Sequence, residues 1–394
     1  MAKTIGKWTR NPFGQNTHAG GRTSSGHGQP ASEPGPSKAG PGKGSVHVMS
    51  PADCKQFGLE NFGNTCYANS VLQALYFCSP FRDLVIQYPD HAAPFSTSSL
   101  PVNGSATNPS EGPPTLFSAL RSLFLHISSN PADKGTVAPR AFIDKLKELN
   151  ELFRSTMHQD AHEFLNYLLN KIVEEMENDR RANGTNTNGH VEDRDAQTLV
   201  HRLFEGQLTS ETRCLTCETV SSRSESFLDL SIDIEQNSSL TACLRQFSAS
   251  EMLCQRNKFF CDSCCGLQEA EKRMKIKILP PVLALHLKRF KYQESLGKYI
   301  KLSYRVAFPF ELRLFNTVDD AEPTADRLYE LFAVVVHIGN GPHHGHYITI
   351  VKSRAKWYVF DDESVDVIKE SDIPKYFGEN LAGAAYVLYY QATD

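Results

Sequence analysis

The chain has 394 residues, 40% of them hydrophobic, and a formal net charge of −4. That apolar content is enough for a sizeable core, which excludes a wholly disordered or fibrous chain, and no uncharged apolar run is long enough to span a bilayer as a helix. The charge is segregated: residues 1–50 carry six Lys/Arg against one Glu, or +5, leaving −9 for residues 51–394.

Residues 1–50 are rich in Gly, Ser, Pro and His and read as a disordered basic tail, because they bury too little apolar area to offset the entropy of ordering. The acidic remainder argues against a specific nucleic-acid binder, which needs a basic surface around its recognition elements. The N-terminus has no apolar h-region, so the expectation is a chain that is not secreted, has no membrane partner, and works in the cytoplasm, with the nucleus open to it. Ten cysteines in such a reducing compartment point to catalysis or metal rather than disulfides.

After the tail, Gly58-Leu59-Glu60-Asn61-Phe62-Gly63-Asn64-Thr65-Cys66 forms a Gly/Asn-rich turn that leads into apolar positions Val71, Leu72, Leu75 and Tyr76 at helical spacing. Cys66 is expected to start a helix, with Asn64 or Thr65 capping its first turn. Backbone N–H groups and the positive end of a helix stabilise a thiolate over a thiol, so Cys66 is a candidate nucleophile. A polar Pro/Ser/Gly-rich insert at 88–114 follows, and then helical periodicity over 116–127 and 141–149. Gln159-Asp160-Ala161-His162-Glu163-Phe164 opens an amphipathic helix over 159–169, with Asp160 and Glu163 on one exposed side. A zinc-protease reading of His162-Glu163 fails, since position 166 is Asn where a second His is needed. A second polar insert is expected at 178–197.

Two pairs, Cys214-x-x-Cys217 and Cys261-x-x-Cys264, bracket strand-like segments such as 226–234. Each pair makes a knuckle whose thiolates face one ion, and four sulfurs suit the tetrahedral preference of a single structural Zn2+ with no open position; Cys265 is a possible substitute ligand. From Lys275 onward the chain reads mostly as β. The segment 284–290 alternates like a half-buried strand, as does 331–337, and 385–391 closes the sheet. The Gly/Pro/His loop 339–345 leads into a strand at His346, and 357–360 reads as the next strand, ending at Asp361; adjacent strands can set an imidazole beside a carboxylate. His286, mid-strand and without a following carboxylate strand, reads as a packed core histidine.

Gly-Asn-Thr-Cys-Tyr around Cys66, the Gln159–Phe164 box, Gly345-His346-Tyr347 and Phe360-Asp361-Asp362, in that order across residues 57–390, resemble the ubiquitin-specific protease family of deubiquitinating cysteine enzymes. The chain looks most similar to the small subgroup activated by WD40-repeat partners, although Ala68 stands where that subgroup often has Cys. The resemblance implies an α+β, papain-like cysteine protease fold of thumb, palm and zinc-bearing β fingers. Residues 51–394 would form the catalytic domain, with the fingers at about 205–275. In the roles that follow, His346 takes the proton of Cys66, Asp361 orients the imidazole with Asp362 as the alternative, and Asn61 helps stabilise the oxyanion. Asp160 and Glu163 are implied to grip arginines near the ubiquitin C-terminus, and the fingers to cradle ubiquitin. The reaction implied is hydrolysis of the isopeptide or peptide bond after the C-terminal glycine of ubiquitin.

Overall fold

A computed structural model describes residues 55–88, 114–182, 197–314, 327–342, 344–379 and 381–393, all within the second of two units, Val48–Asp394. The basic tail and residues 89–113 and 183–196 of the two polar inserts lie outside the described residues.

The first half is helical. A short strand, β1 (Gln56–Leu59), leads into α1 (Cys66–Phe77), α2 (Ser79–Gln87) and α3 (Leu116–Ser128); β2 (Lys134–Val137), α4 (Arg140–Leu149), α5 (Ala161–Ala182) and α6 (Leu199–Phe204) follow, and β1 pairs with β2 in parallel. Every residue of α1 is buried, so it is a central helix and not a one-sided surface one. It ends at Cys78, whose N–H reaches the carbonyls of Ala74 and Leu75, because Pro80 occupies the first turn of α2, where its missing donor costs nothing. Glu175 on α5 accepts from the first backbone amides of α3, Leu116 at 3.1 Å and Phe117 at 2.8 Å, so one helix caps its neighbour. Because α5 runs to Ala182, residues 178–182 are helical and not part of a loop, so the expected start of the second insert at 178 does not hold. Its last turn carries Arg180 and Arg181, favourable charges at a helix C-terminus.

The second half is built of strands: β3 (Gly206–Cys214), β4 (Val220–Phe227), β5 (Leu230–Ile232), β6 (Ser238–Ser239), then α7 (Leu240–Phe247), β7 (Glu251–Leu253), β8 (Phe259–Cys261), β9 (Gly266–Gln268), β10 (Ala270–Ile278), β11 (Val282–Leu287), β12 (Phe290–Gln293), β13 (Lys298–Lys301), β14 (Val306–Ala307), β15 (Glu311–Arg313), β16 (Leu328–Gly341), β17 (His344–Ser353), β18 (Lys356–Asp361), β19 (Ser364–Ile368) and β20 (Ala384–Ala392). A four-stranded sheet, β4-β3-β10-β7, makes the fingers, with the β8-β9 hairpin at the second cysteine pair. The palm is an eight-stranded sheet, β19-β18-β17-β16-β20-β11-β5, with β15 added to β16. The segment read as one strand over 226–234 is therefore two: β4 ends at Phe227 in the fingers, and β5 joins the palm beside β11.

The palm strands expected to be half-buried are buried on both faces. Along β16, Ala333 and Val335 join the core shared with the helices, while Val334 and Val336 join a second core on the far side. Along β17, Tyr347 and Val351 take the first side and Ile348 and Ile350 the second. A two-residue side-chain period serves two apolar layers here instead of one layer and water. β11 stops at Leu287, short of position 290, because Arg289 is drawn inward: it is fully buried and its guanidinium donates to the carbonyls of Ala385, Leu302, Tyr304 and Phe377. Where helices meet sheet, the buried Thr349 hydroxyl on β17 donates to the Ser70 carbonyl of α1 at 2.6 Å. No helix among the described residues is long and apolar enough to cross a membrane.

Candidate active site

Cys66 is the first residue of α1, as its sequence surroundings predict, but the turn before it is built differently from expectation. Neither Asn64 nor Thr65 caps the helix. The Thr65 hydroxyl accepts from the Phe62 N–H at 3.0 Å, and the Asn61 side-chain carbonyl accepts from the Thr65 N–H at 3.1 Å, so the turn closes on itself and the helix start is left without a side-chain cap. Gly63 and Asn64 both adopt left-handed backbone, φ 77° and 62°, the conformation that Gly and Asn tolerate best.

The turn is held from the other half of the molecule. Asp362 Oδ2 accepts from Asn61 Nδ2 at 2.7 Å, Asp362 Oδ1 accepts from Asn69 Nδ2 at 2.8 Å, and Glu363 Oε1 accepts from the Asn61 N–H at 2.9 Å. The β18–β19 turn lies so close to β1 that a Cβ on Gly58 would sit 2.3 Å from the Glu363 carbonyl oxygen.

Gly345 similarly admits His346. It has φ 139°, and a Cβ there would stand 2.4 Å from the Ile338 carbonyl oxygen. His346 Nε2 lies 2.6 Å from Asp361 Oδ1 and 3.9 Å from Asp362 Oδ2, so the nearer carboxylate is Asp361, while Asp362 is half-buried and spoken for by the two asparagines. With Nε2 engaged, Nδ1 is the nitrogen left for the sulfur.

Cys66 itself is 2% exposed. Burial would push its thiol up, but the His158 and His346 side chains, the Tyr347 backbone N–H and the charge of His346 outweigh it and lower the thiol to about 7. His346 is raised to about 9, first by its hydrogen bond to Cys66 and then, against the cost of burial, by Asp361. The pair therefore favours thiolate and imidazolium near neutral pH. The sequence reading passed over His158, and its only available signal was that it directly precedes the Gln159 box.

Asp160 and Glu163 do not share a helix face. Asp160 precedes α5 and caps it, Oδ1 accepting from the His162 N–H at 2.8 Å, while Oδ2 accepts from the Tyr386 hydroxyl at 2.7 Å; Glu163 is exposed on the first turn. His286 is buried, with Nδ1 2.9 Å from the Ser231 hydroxyl and its ring stacked on His162 at 3.6 Å; burial first, then the His162 and Lys288 charges, holds it well below the usual histidine range. It is a core histidine, as read from its strand.

In the fingers the four cysteines Cys214, Cys217, Cys261 and Cys264 converge, all sulfurs lying within 4.8 Å of one another; Cys217–Cys261 is 3.5 Å and Cys214–Cys264 is 4.0 Å. Sulfurs about 2.3 Å from a tetrahedral Zn2+ stand about 3.8 Å apart, so the donor set fits one ion held structurally. Cys265 turns away, with φ 53° and its thiol donating to the Asp262 carbonyl, and is not part of the group.

The ubiquitin carboxyl-terminal hydrolase family profile matches residues 57–390, most of the chain. The chain belongs to the ubiquitin carboxyl-terminal hydrolase family. Ubiquitin carboxyl-terminal hydrolase 4 of Arabidopsis thaliana is 51% identical over 361 residues, covering 86% of this chain and 93% of that relative. A probable ubiquitin carboxyl-terminal hydrolase, creB, of Aspergillus flavus is 45% identical over 86% of this chain, which spans 55% of the fungal protein. Among solved structures, the SAGA Ubp8/Sgf11/Sus1/Sgf73 DUB module bound to ubiquitin aldehyde aligns with a TM-score of 0.69 at 26% identity, covering 88% of this chain and 71% of that one. The same module bound to monoubiquitin gives 0.67 at 27% identity, covering 89% and 72%. This hydrolase therefore has the papain-like α+β fold of its family and is a thiol-dependent ubiquitinyl hydrolase.

Proposed function

We propose that this hydrolase cleaves the isopeptide or peptide bond after the C-terminal glycine of ubiquitin with Cys66 as nucleophile. The observation that carries the reading is the convergence, on one buried sulfur at a helix start, of an imidazole that is itself bonded to Asp361. His346 holds the Cys66 proton as the thiolate attacks the glycine carbonyl and then delivers it to the leaving amine, while Asp361 keeps the ring in place. One Asn61 amide hydrogen is spent on Asp362, and the second serves the oxyanion together with the uncapped amides of the helix start. Asp160, locked by Tyr386, and the exposed Glu163 supply negative charge for arginines in the ubiquitin tail. The Ubp8 modules bound to ubiquitin aldehyde and to monoubiquitin support ubiquitin as the substrate.

Cys214, Cys217, Cys261 and Cys264 would hold one Zn2+, whose contribution when bound is to pin the two knuckles together; the ion has no step in the reaction. A WD40-repeat protein is the proposed activator, docking away from Cys66 on the fingers, where Met252, Phe260 and Leu267 are each more than half exposed. Turnover of a ubiquitin C-terminal fluorogenic amide tests both ideas. Cys66→Ala should abolish it, and titrating a co-purifying WD40 protein should raise kcat with little change in KM; turnover by the alanine variant would reject the nucleophile, and a flat titration despite binding would reject activation.

A further inference from the structure

The strand opposite His346 runs out of neighbours just where it faces that residue. On one side β16 pairs with β20 as far as His337, opposite Ala384. On the other its ladder with β17 is regular to Ile338, opposite His346, and then shifts before Gly341 pairs with His344. Beyond His337 the β20 edge faces a cavity of about 660 Å³ lined by Ile338, Gly339, Asn340, Gly383 and Ala384. Backbone carbonyls at such an edge need donors from elsewhere.

One side chain supplies them. Lys301, the last residue of β13, donates from Nζ to the His337 carbonyl at 2.9 Å and to the Gly339 carbonyl at 2.7 Å, the two carbonyls that flank Ile338. Ile338 is the residue against which His346 is registered, and its own carbonyl oxygen is the atom that a Cβ on Gly345 would meet at 2.4 Å. Among the described residues no carboxylate pairs with the Lys301 ammonium, so its charge goes to backbone oxygens.

Lys301 is itself held in place. It pairs with Phe290 across the β12–β13 hairpin, and the Phe290 ring packs nearly perpendicular to the His337 ring at 5.2 Å. Next in the chain, Leu302 donates its N–H to the Arg289 carbonyl at 2.7 Å, and its own carbonyl accepts from Arg289 Nη1 at 3.1 Å. Burial, and then the Arg289 charge, lower the Lys301 ammonium to about 8, so it stays charged at neutral pH.

We infer that Lys301 is a positioning residue: by bridging the carbonyls on either side of Ile338, it fixes the strand end that sets His346 against Cys66 and Asp361. The inference rests on the reading of Cys66 and His346 as the reacting pair. Lys301 acts through the backbone and not on the reacting atoms. The strand ends have little of their own to lock them, since Gly339 and Gly345 adopt φ 125° and 139° and carry no side chain. His346 must meet Asp361 Oδ1 at 2.6 Å with one nitrogen and the sulfur with the other, and a misplacement of about 1 Å in such a site costs about 10²-fold.

The test compares the full chain with Lys301→Met, which keeps the stem without a donor, Lys301→Gln, which keeps a shorter uncharged donor, and Lys301→Arg, which keeps charge and donors. One readout is kcat and KM for a ubiquitin C-terminal fluorogenic amide at pH 7.5, with kcat expressed per chain captured at completion by a ubiquitin C-terminal electrophile. The other is alkylation of Cys66 by iodoacetamide at pH 6.5, followed on its own peptide by mass spectrometry, because a displaced His346 no longer stabilises the thiolate. Lys301→Met should lose about 10-fold or more in kcat with KM within about twofold, and should alkylate about threefold or more slowly. Lys301→Arg should lie close to wild type in both readouts and Lys301→Gln between the two, an order that Arg and Gln alone still report if the Met variant does not fold. An unchanged kcat per captured chain, a loss confined to KM, an unchanged alkylation rate, or an Arg variant no better than Gln would overturn the proposal. Turnover that survives in Cys66→Ala would fail the nucleophile reading itself, whereas Lys301 variants that match wild type beside an inactive Cys66→Ala would fail this role alone.

Discussion

Asp362 Oδ2 accepts a hydrogen bond from Asn61 Nδ2 at 2.7 Å across the junction between the palm and the turn that carries Cys66. Two adjacent carboxylates thus have separate duties: Asp361 is at 2.6 Å from the His346 ring, and Asp362 ties down Asn61 and Asn69. Replacing Asp361 by Ala is expected to lower kcat/KM by about 10²-fold with a nearly unchanged melting temperature, since that carboxylate is half exposed and only orients the base. Replacing Asp362 by Ala should cost about 1–3 kcal/mol of stability as well as activity, because two amides lose their acceptor. Thermal melts and kinetics of the two variants side by side check this; equal melting temperatures would contradict it.

The ion pair fixes a pH window. The Cys66 thiol, lowered to about 7, must be deprotonated, and the His346 ring, raised to about 9, must remain protonated. Activity therefore should rise as pH passes about 7 and fall as it passes about 9, both limbs belonging to the coupled pair. The kcat/KM profile of a ubiquitin amide measures it; a thiol limb left near 8.5, the free value, would show no stabilised thiolate.

Much of this arrangement is legible in the chain because its chemistry is local. Cys66 after a Gly/Asn turn, His346 after a glycine loop, and cysteines in two pairs are short-range signals, and each lies where its own segment implies. What sequence left open was long-range. Asp361 and Asp362 differ only in which side of a tight turn they face, the latter at φ 47°, and no period distinguishes them. The same holds for Asp160, which resembled a helix-face carboxylate but is a cap bonded to Tyr386, 226 positions away. Burial on both faces of β16 was legible after all, because Leu331-Phe332-Ala333-Val334-Val335-Val336 is a continuous apolar run, the pattern of a strand packed on both sides rather than of one facing water.

Tyr386→Phe tests the long-range link directly. Loss of the hydroxyl frees Asp160 Oδ2, so the carboxylate proposed to meet the ubiquitin tail is no longer fixed. The expected outcome is a several-fold higher KM for ubiquitin amide with a smaller change in kcat, whereas an equal loss in kcat alone would place Tyr386 in the chemistry instead.

Metal content bears on the fingers. The purified chain should hold about one equivalent of Zn2+ by elemental analysis, and Cys261→Ser should melt the fingers first, seen as fast hydrogen exchange across β3 and β10. Full protection in a metal-free sample would contradict a zinc-held fold.

Thr349→Val removes the hydroxyl that joins the palm to α1 while keeping the branched shape. A loss of about 1 kcal/mol in chemical denaturation is expected, from one buried hydrogen bond. No loss would mean that this contact does not hold the two halves in register.

The most direct measurement is covalent capture. A ubiquitin bearing an electrophile at its C-terminus is incubated with the full chain, and the adduct is digested and mapped by mass spectrometry among the ten cysteines. One ubiquitin per chain attached at Cys66, with capture lost in His346→Ala, is the predicted result; attachment at any other cysteine, or capture that survives in Cys66→Ala, would contradict the account.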